Sequence, residues 1–179
     1  MSSLLIVTGP PGAGKSTVAS VLAERFERSA LVEGDAFFAF LRRGAIAPWL
    51  PGSKEQNEAV TQAAGAAAGR FASGGMVTVY DGVVGPWFLP VFAAATGLDR
   101  LDYVVLLPAV ERCVERVRTR TGHGFEDEAA TRKMHREFAT AQVDDRHVLA
   151  DPPEGAAAVA DLVETSLAAG ELAFGTGPG

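Results

Sequence analysis

Leu4-Leu5-Ile6-Val7-Thr8-Gly9-Pro10-Pro11-Gly12-Ala13-Gly14-Lys15-Ser16-Thr17 decides how this chain is read. Leu4 to Thr8 is a short apolar run rich in branched side chains. It stops at a glycine and proline cluster, as a buried strand does when it enters a loop. Beyond the cluster Val18, Val21, Leu22 and Phe26 recur at helical spacing, so a helix is expected over Lys15 to Glu27. Gly9 to Ser16 fits GxxxxGK[ST] in the context that gives the pattern meaning, after a strand and opening a helix. Glycines let the backbone curl until its N–H groups face a phosphate, and the helix N-terminus adds a positive field. Gly9, Pro10, Pro11, Gly12, Ala13, Gly14, Lys15, Ser16 and Thr17 are therefore the candidate nucleotide-binding residues. Lys15 is suited to the β- and γ-phosphates, the Ser16 hydroxyl to Mg²⁺, and Thr17 to the α-phosphate. The pattern speaks for nucleotide binding and says little about the fate of the phosphate.

Outward from this stretch the chain alternates between two periods. Further strands are expected at Ala30 to Val32, Met76 to Tyr80, Leu101 to Leu107 and, more weakly, His147 to Ala150. Helices are expected at Ala36 to Arg43, Lys54 to Ala72, Phe88 to Ala95, Ala109 to Arg120, Glu126 to Gln142 and Gly155 to Ala168. Gly65 and Gly69 lie one turn apart and permit close packing against a neighbour. Ala130, Met134 and Phe138 form one buried stripe. Strands alternating with helices imply an α/β fold, a parallel sheet covered on both faces. Ligands of such sheets gather at the carboxyl ends of the strands. Gly9 to Ser16, Asp35, Asp81 and Pro152 all fall just past expected strand ends and so share one rim.

With 179 residues, 47% hydrophobic and 21% charged, the chain has the length and balance of one globular domain. Residues 1–169 are expected to form it, and the glycine-rich tail from Gly170 is expected to be mobile. A net charge of -6 argues against a nucleic-acid or membrane-surface partner and for a small-molecule one. The lone Cys113 excludes an internal disulfide or a cysteine-based zinc site and reads as a core residue. His123, His135 and His147 are not spaced as metal ligands. The first apolar run is too short for a signal peptide or membrane span, so a cytoplasmic protein is expected, monomer or homodimer.

Beyond the P-loop, order and spacing resemble the nucleoside-monophosphate-kinase-like group of P-loop phosphotransferases, which includes gluconate kinases, shikimate kinases and chloramphenicol phosphotransferase. The resemblance runs from Leu4 to about Leu162. It implies a three-layer sandwich with five parallel strands in the order 2-3-1-4-5, ATP and Mg²⁺, and an arginine-bearing lid, here near residues 118–128. Gly34-Asp35 resembles the segment whose aspartate faces the acceptor hydroxyl, which makes Asp35 the candidate general base; a helix N-cap is the plainer role. Val77 to Asp81 resembles a Walker-B-like strand, so Asp81 is a candidate for Mg²⁺ or for the acceptor, or else a turn residue. Arg112, Arg116 and Arg120 repeat every four residues on one helix face, with Arg118 off that face. In the resemblance Arg116 stacks on adenine and Arg120, before Thr121-Gly122-His123-Gly124, is a lid arginine that neutralises the transferring phosphoryl group. Asp151-Pro152-Pro153 falls where relatives place a loop against the adenine, which brings in Pro153.

The acceptor pocket of such enzymes lies between the second-strand segment and the end of the third strand. Here that offers Phe37, Phe38, Phe40, Arg42, Arg43, Trp49 and Trp87, a set suited to a ring-bearing or partly apolar acceptor with an anionic group for an arginine. The expected activity is phosphorylation of a small-molecule hydroxyl, with Lys15, Asp35 and Arg120 catalytic and with Phe38, Arg42, Asp81 and Trp87 lining the acceptor site. The double-aspartate and double-glycine features of a shikimate kinase are absent, and Arg42 to Ser53 does not resemble a gluconate kinase. An antibiotic, another natural product or a sugar acid remains open as the acceptor. The competing classes are a nucleoside or nucleotide kinase, a regulatory NTPase and a non-catalytic nucleotide-binding module. A GTP switch is disfavoured because no Asn-Lys-x-Asp or Asp-x-x-Gly pattern is present.

Overall fold

A computed structural model of the chain describes residues 3–119 and 127–175. Its strands are β1 (Leu4–Thr8), β2 (Ser29–Glu33), β3 (Val77–Asp81), β4 (Arg100–Leu107), β5 (Val148–Ala150) and β6 (Ala173–Gly175). Its helices are α1 (Lys15–Glu24), α2 (Gly34–Phe38), α3 (Lys54–Ser73), α4 (Leu89–Thr96), α5 (Val110–Thr119), α6 (Glu128–Thr140) and α7 (Ala156–Ala169). Strands β2-β3-β1-β4-β5 run parallel in that order, and β6 pairs antiparallel with β4. This is the expected α/β sandwich with one strand added. β1 is buried at all five positions, because a central parallel strand covered by helices on both faces has no solvated side.

Alternation along the strands divides the interior into two layers. Leu5, Val7, Val79, Val104 and Leu106 point to one side, where α1 and α7 bring Val18, Leu22, Val159, Val163 and Leu167. Leu4, Ile6, Tyr80, Leu101, Tyr103 and Val105 point to the other, where α3, α4 and α6 bring Ala64, Ala68, Phe92 and Phe138. Arg25 ties α1 to α7 through Asp161 at 2.8 Å and Glu164 at 2.6 Å. Gly65 and Gly69 meet α4, as their spacing foretold: a Cβ at Gly69 would overlap the Thr96 carbonyl.

Several boundaries differ from the sequence expectation for local reasons. α1 stops at Glu24, three residues early, where Ser29 Oγ donates to the Ala23 carbonyl at 2.6 Å and turns the chain into β2. α2 stops at Phe38 and does not reach Arg43; single turns (Phe40 N to Phe37 O at 3.3 Å, Leu41 N to Phe38 O at 3.1 Å) lead into an irregular segment. α6 starts at Glu128 because the Asp127 carboxylate caps it, accepting from the Ala130 amide at 2.9 Å. Its stripe is buried at Ala130 and Phe138 and half-buried at Met134. The tail departs most from expectation. Leu172 is fully buried and Phe174 packs on the core, so residues 173–175 add a strand to the sheet. No helix among the described residues is long and apolar enough to cross a membrane.

Candidate active site

The P-loop leaves β1 at the centre of the sheet, and its glycines are required by close approach. Gly12 sits at φ +77 with its Cα against the Cys113 carbonyl of α5, and a Cβ on Gly9 would overlap the Leu106 carbonyl of β4. The loop thus lies flat between β4 and α5. Gly14 occupies the N-cap of α1 and brings no capping side chain, so the first-turn N–H groups remain available to an anion. Lys15 Nζ donates to the Pro10 carbonyl at 3.1 Å, folded back across the loop. Pro11, Gly12, Gly14, Lys15 and Ser16 are half-buried and Thr17 is exposed, while Pro10 and Ala13 are buried.

Two carboxylates reach the same rim. Asp81 is the last residue of β3, in register with Val7 of β1 and Glu33 of β2. It is only 8% exposed, and its Oδ1 is buried without a hydrogen-bond partner. Burial pushes its carboxyl up; hydrogen bonding by Ser16 and the charge of Lys15 pull it down, and Asp35 and Glu33 push it up again. These influences place Lys15, Ser16, Asp35, Glu33 and Asp81 in one electrostatic neighbourhood. Asp35 is exposed in the first turn of α2. The capping role does not hold for it, because Glu33 occupies the N-cap and Asp35 lies inside the helix. The segment after β3 is fixed from two sides: the Val84 amide donates to Thr8 Oγ1 at 2.9 Å, and the Tyr103 hydroxyl donates to the Val84 carbonyl at 2.9 Å.

Mg²⁺ fits this arrangement. A buried carboxylate oxygen with no partner, beside a serine hydroxyl at the start of α1, is a hard oxygen pair of the kind the ion takes along with phosphate oxygens. Among the described residues no group of three or more His, Cys, Asp or Glu is placed to hold a metal.

The arginines divide by partner. Arg118 pairs with Glu115 at 3.6 Å, and Arg132 pairs with Glu128 at 2.9 Å and Glu111 at 3.4 Å. Arg116 and Arg112 bind backbone carbonyls instead. Arg116 Nη1 donates to Gly12 O at 3.3 Å and Ala13 O at 3.4 Å, and Arg112 Nη1 donates to Pro152 O at 3.1 Å. Arg116 stands over the phosphate loop, and Arg112, which sequence reasoning left out of the site, stands at the turn given to the base. The i, i+4 row contained that signal. The turn itself is unusual: Asp151 adopts φ +43, and its amide donates to the Leu107 carbonyl at 3.1 Å. Pro153 is exposed beside it. Arg120 and the segment 121–126 lie outside the described residues.

The aromatic candidates scatter. Phe37 joins the core edge, Phe38 is half-buried and Phe40 is exposed, with Phe37 and Phe40 edge to face at 5.7 Å. Trp87 is 44% exposed and lies against Phe138 of α6 at 5.2 Å. Arg42 is exposed on the segment after α2. No hydrogen bond or ion pair joins Arg42 or Trp87 to Asp35 or Asp81 among the described residues. Glu33 and Tyr80 belong to the neighbourhood and went unnoticed in the sequence, where each reads as an ordinary strand residue. Burial first, then Asp35 and Asp81, push the Tyr80 phenol up, so it stays neutral.

The fold and this rim define a kinase-like P-loop protein. Residues 4–141 match the family described as AAA domain, and the chain belongs to that family. A sugar kinase from Janibacter superposes with a TM-score of 0.70 at 19% identity, covering 94% of this chain and 95% of its own. The tunicamycin resistance protein of Deinococcus radiodurans gives 0.68 at 17% identity, over 99% of this chain and 100% of its own. A gluconokinase from Sinorhizobium meliloti gives 0.61 at 21% identity, over 92% and 91%. No curated protein sequence matches the chain significantly.

Proposed function

We infer that the chain is an ATP-dependent phosphotransferase, moving the γ-phosphate of Mg-ATP to a hydroxyl of a small molecule. The observation that carries this reading is the meeting of Asp35 and Asp81 with Lys15 and Ser16 at the carboxyl ends of β1, β2 and β3. A nucleotide-binding module needs the P-loop alone; a second, exposed carboxylate facing it is what a hydroxyl acceptor needs.

The geometry supports the following roles. The P-loop amides and the α1 N-terminus bind phosphate oxygens. Lys15 releases Pro10 and turns its ammonium to the β- and γ-phosphates. Ser16 and Asp81 hold Mg²⁺, which when bound neutralises charge on the phosphates. Asp35 accepts the proton of the acceptor hydroxyl as its oxygen bonds to the γ-phosphorus and the bond from that phosphorus to the bridging oxygen breaks, with ADP as the leaving group. Arg116, already over the loop, faces the charge that develops there, and Arg112 holds the turn beside the base. Arg120, outside the described residues, keeps the lid role that the sequence resemblance implies. The half-buried Phe38 and the 72% exposed Phe40 follow Asp35 closely along the chain and offer apolar surface. That favours a hydroxylated acceptor with a ring or apolar part, such as an antibiotic or other natural product.

The test is ADP release from Mg-ATP across hydroxylated antibiotics, sugar acids, shikimate and nucleosides, with mass spectrometry of the products. Acceptor-dependent release with a phosphorylated product is expected from the first group. ADP release indifferent to every acceptor would point to an NTPase and remove the role given to Asp35.

A further inference from the structure

Tyr80 stands where the two carboxylate-bearing turns meet. Its ring lies in the layer beneath α3 and α4, edge to face with Phe92 at 4.6 Å, and the residue is 4% exposed. Its hydroxyl makes no hydrogen bond among the described residues. A phenylalanine would fill the same apolar space without carrying a hydroxyl into the narrow gap between Gly34 and Gly82, so packing alone does not account for a tyrosine.

What the hydroxyl touches does account for it. A Cβ on Gly34 would overlap the Tyr80 hydroxyl, and a Cβ on Gly82 would stand 2.9 Å from it and 2.8 Å from the ring. Neither glycine has a positive φ, so neither is required by backbone conformation; what each supplies is space, and Tyr80 takes it. Gly34 immediately precedes Asp35, and Gly82 immediately follows Asp81. The same phenol end therefore supports both turns, one after β2 and one after β3.

We propose that Tyr80 is the positioning residue of the acceptor site, the seat that sets the height of Asp35 against Asp81. The inference rests on the kinase reading and deepens it. The charged groups acting on the phenol are Asp35 from α2 and Asp81 from β3, and Asp81 in turn is reached by Ser16, Lys15 and Glu33. Hydroxyl transfer tolerates little misplacement of the base, so a small drop of the Asp35 turn costs turnover more than nucleotide affinity.

The experiment compares Tyr80→Phe, Tyr80→Leu and Gly34→Ala with the unaltered protein in two measurements. In the first, turnover is followed with the acceptor phosphorylated fastest in the panel and Mg-ATP affinity by calorimetry. Expected is a fall in kcat of about tenfold for Tyr80→Phe and more for the other two, with Mg-ATP affinity held within about threefold. Tyr80→Phe with unchanged kcat, or equal losses of kcat and nucleotide affinity, would overturn the proposal. The second needs no acceptor: hydrogen exchange of the amides of residues 34–38 should quicken about tenfold in Tyr80→Phe while α1 is unchanged. Unaltered exchange there overturns the seating outright. A wild-type protein that phosphorylates nothing, yet shows the exchange effect, would instead sink the kinase reading and leave the seating in place.

Discussion

The two layers that sandwich the sheet are built from different materials. The layer under α1 and α7 is aliphatic, with Val7, Val18, Leu22, Val79, Val163 and Leu167 at its centre. The layer under α3, α4 and α6 holds Tyr80, Phe92, Tyr103 and Phe138, with His147 and Phe174 packed on Tyr103 at its edge. Under the proposed function the difference matches what each layer would support, a phosphate side and an acceptor side. Phosphate is held by backbone N–H groups, and backbone needs only a firm, uniform bed. The acceptor is met by side chains, and these need polar and aromatic supports whose hydroxyls and edges set individual positions. On this view changes on the aliphatic side spoil nucleotide binding, and changes on the aromatic side spoil chemistry or acceptor choice.

The sharpest way to break that division is Asp35→Asn. The amide keeps the shape of α2 and cannot take a proton. Turnover should fall by about 10² to 10⁴, the usual range for a general base, with Mg-ATP affinity by calorimetry unchanged. Unchanged kcat would remove Asp35 as the base and leave the aromatic side without chemistry. Lys15→Ala comes next and should behave in the opposite way. Its cation serves bound phosphate, so both Mg-ATP affinity and kcat should drop, the latter by about 10² to 10³. Normal kinetics there would undermine the P-loop reading itself.

The same division explains what could be read in advance. Gly9 to Ser16 announced the phosphate loop because backbone geometry leaves a strict residue pattern, and the strand and helix periods around it gave the sheet. β6 escaped because Ala173-Phe174-Gly175 is short and set among glycines; its pairing with β4, beside the buried Leu172 and with Phe174 on the core, is a tertiary event. On the acceptor side Asp35 and Asp81 could be located from strand ends. Tyr80 and Glu33 could not, because their importance comes from β2 and β3 lying side by side, which no local pattern records. Arg112 was visible in its row, but its partner is a carbonyl 40 residues away. Trp87 was drawn to the acceptor by its place after the third strand and its residue type, and the structure adds a tilted contact with Phe138 that no local pattern announced.

A smaller effect is expected from the segment between α2 and α3. Gln56 holds it through a pair of bonds to one residue, accepting from Ile46 N at 2.8 Å and donating to Ile46 O at 2.7 Å, and Asn57 adds a bond to Pro48 O at 2.7 Å. Gln56→Ala frees the segment bearing Arg42 and Trp49. At about 0.5–1.5 kcal/mol per bond, less where water competes, acceptor KM should rise about three- to tenfold with Mg-ATP KM unchanged. Steady-state kinetics with both substrates varied decides it. A rise in Mg-ATP KM alone would mean that this segment serves the nucleotide side.

The smallest effect separates the two layers by pH. His147 is 3% exposed, its Nδ1 is 3.0 Å from the Tyr103 carbonyl, and the rings of Tyr103 and Phe174 flank it. Burial pushes its pKa below the ordinary value near 6.5; the bond to Tyr103 opposes the shift, Arg146 reinforces it, and Asp144 and Asp102 oppose it. The unfolded chain therefore binds the histidine proton at a higher pH than the folded one does. Stability from this residue is complete above the unfolded pKa and is lost as pH falls below about 6.5, with a slope of at most about 1.4 kcal/mol per pH unit. The loss stops once pH drops below the lowered folded pKa. Thermal unfolding at pH 7.5 and 5.5 should show a larger fall in Tm for the wild type than for His147→Gln, which keeps a donor for Tyr103 and has no proton to gain. Equal falls would show that the aromatic layer carries no acid-sensitive group of its own and that other groups set the acid response, with Asp81, whose carboxyl burial pushes up, working against the fall. In that case the two layers would differ in shape and polarity, and His147 would be merely another donor to the sheet.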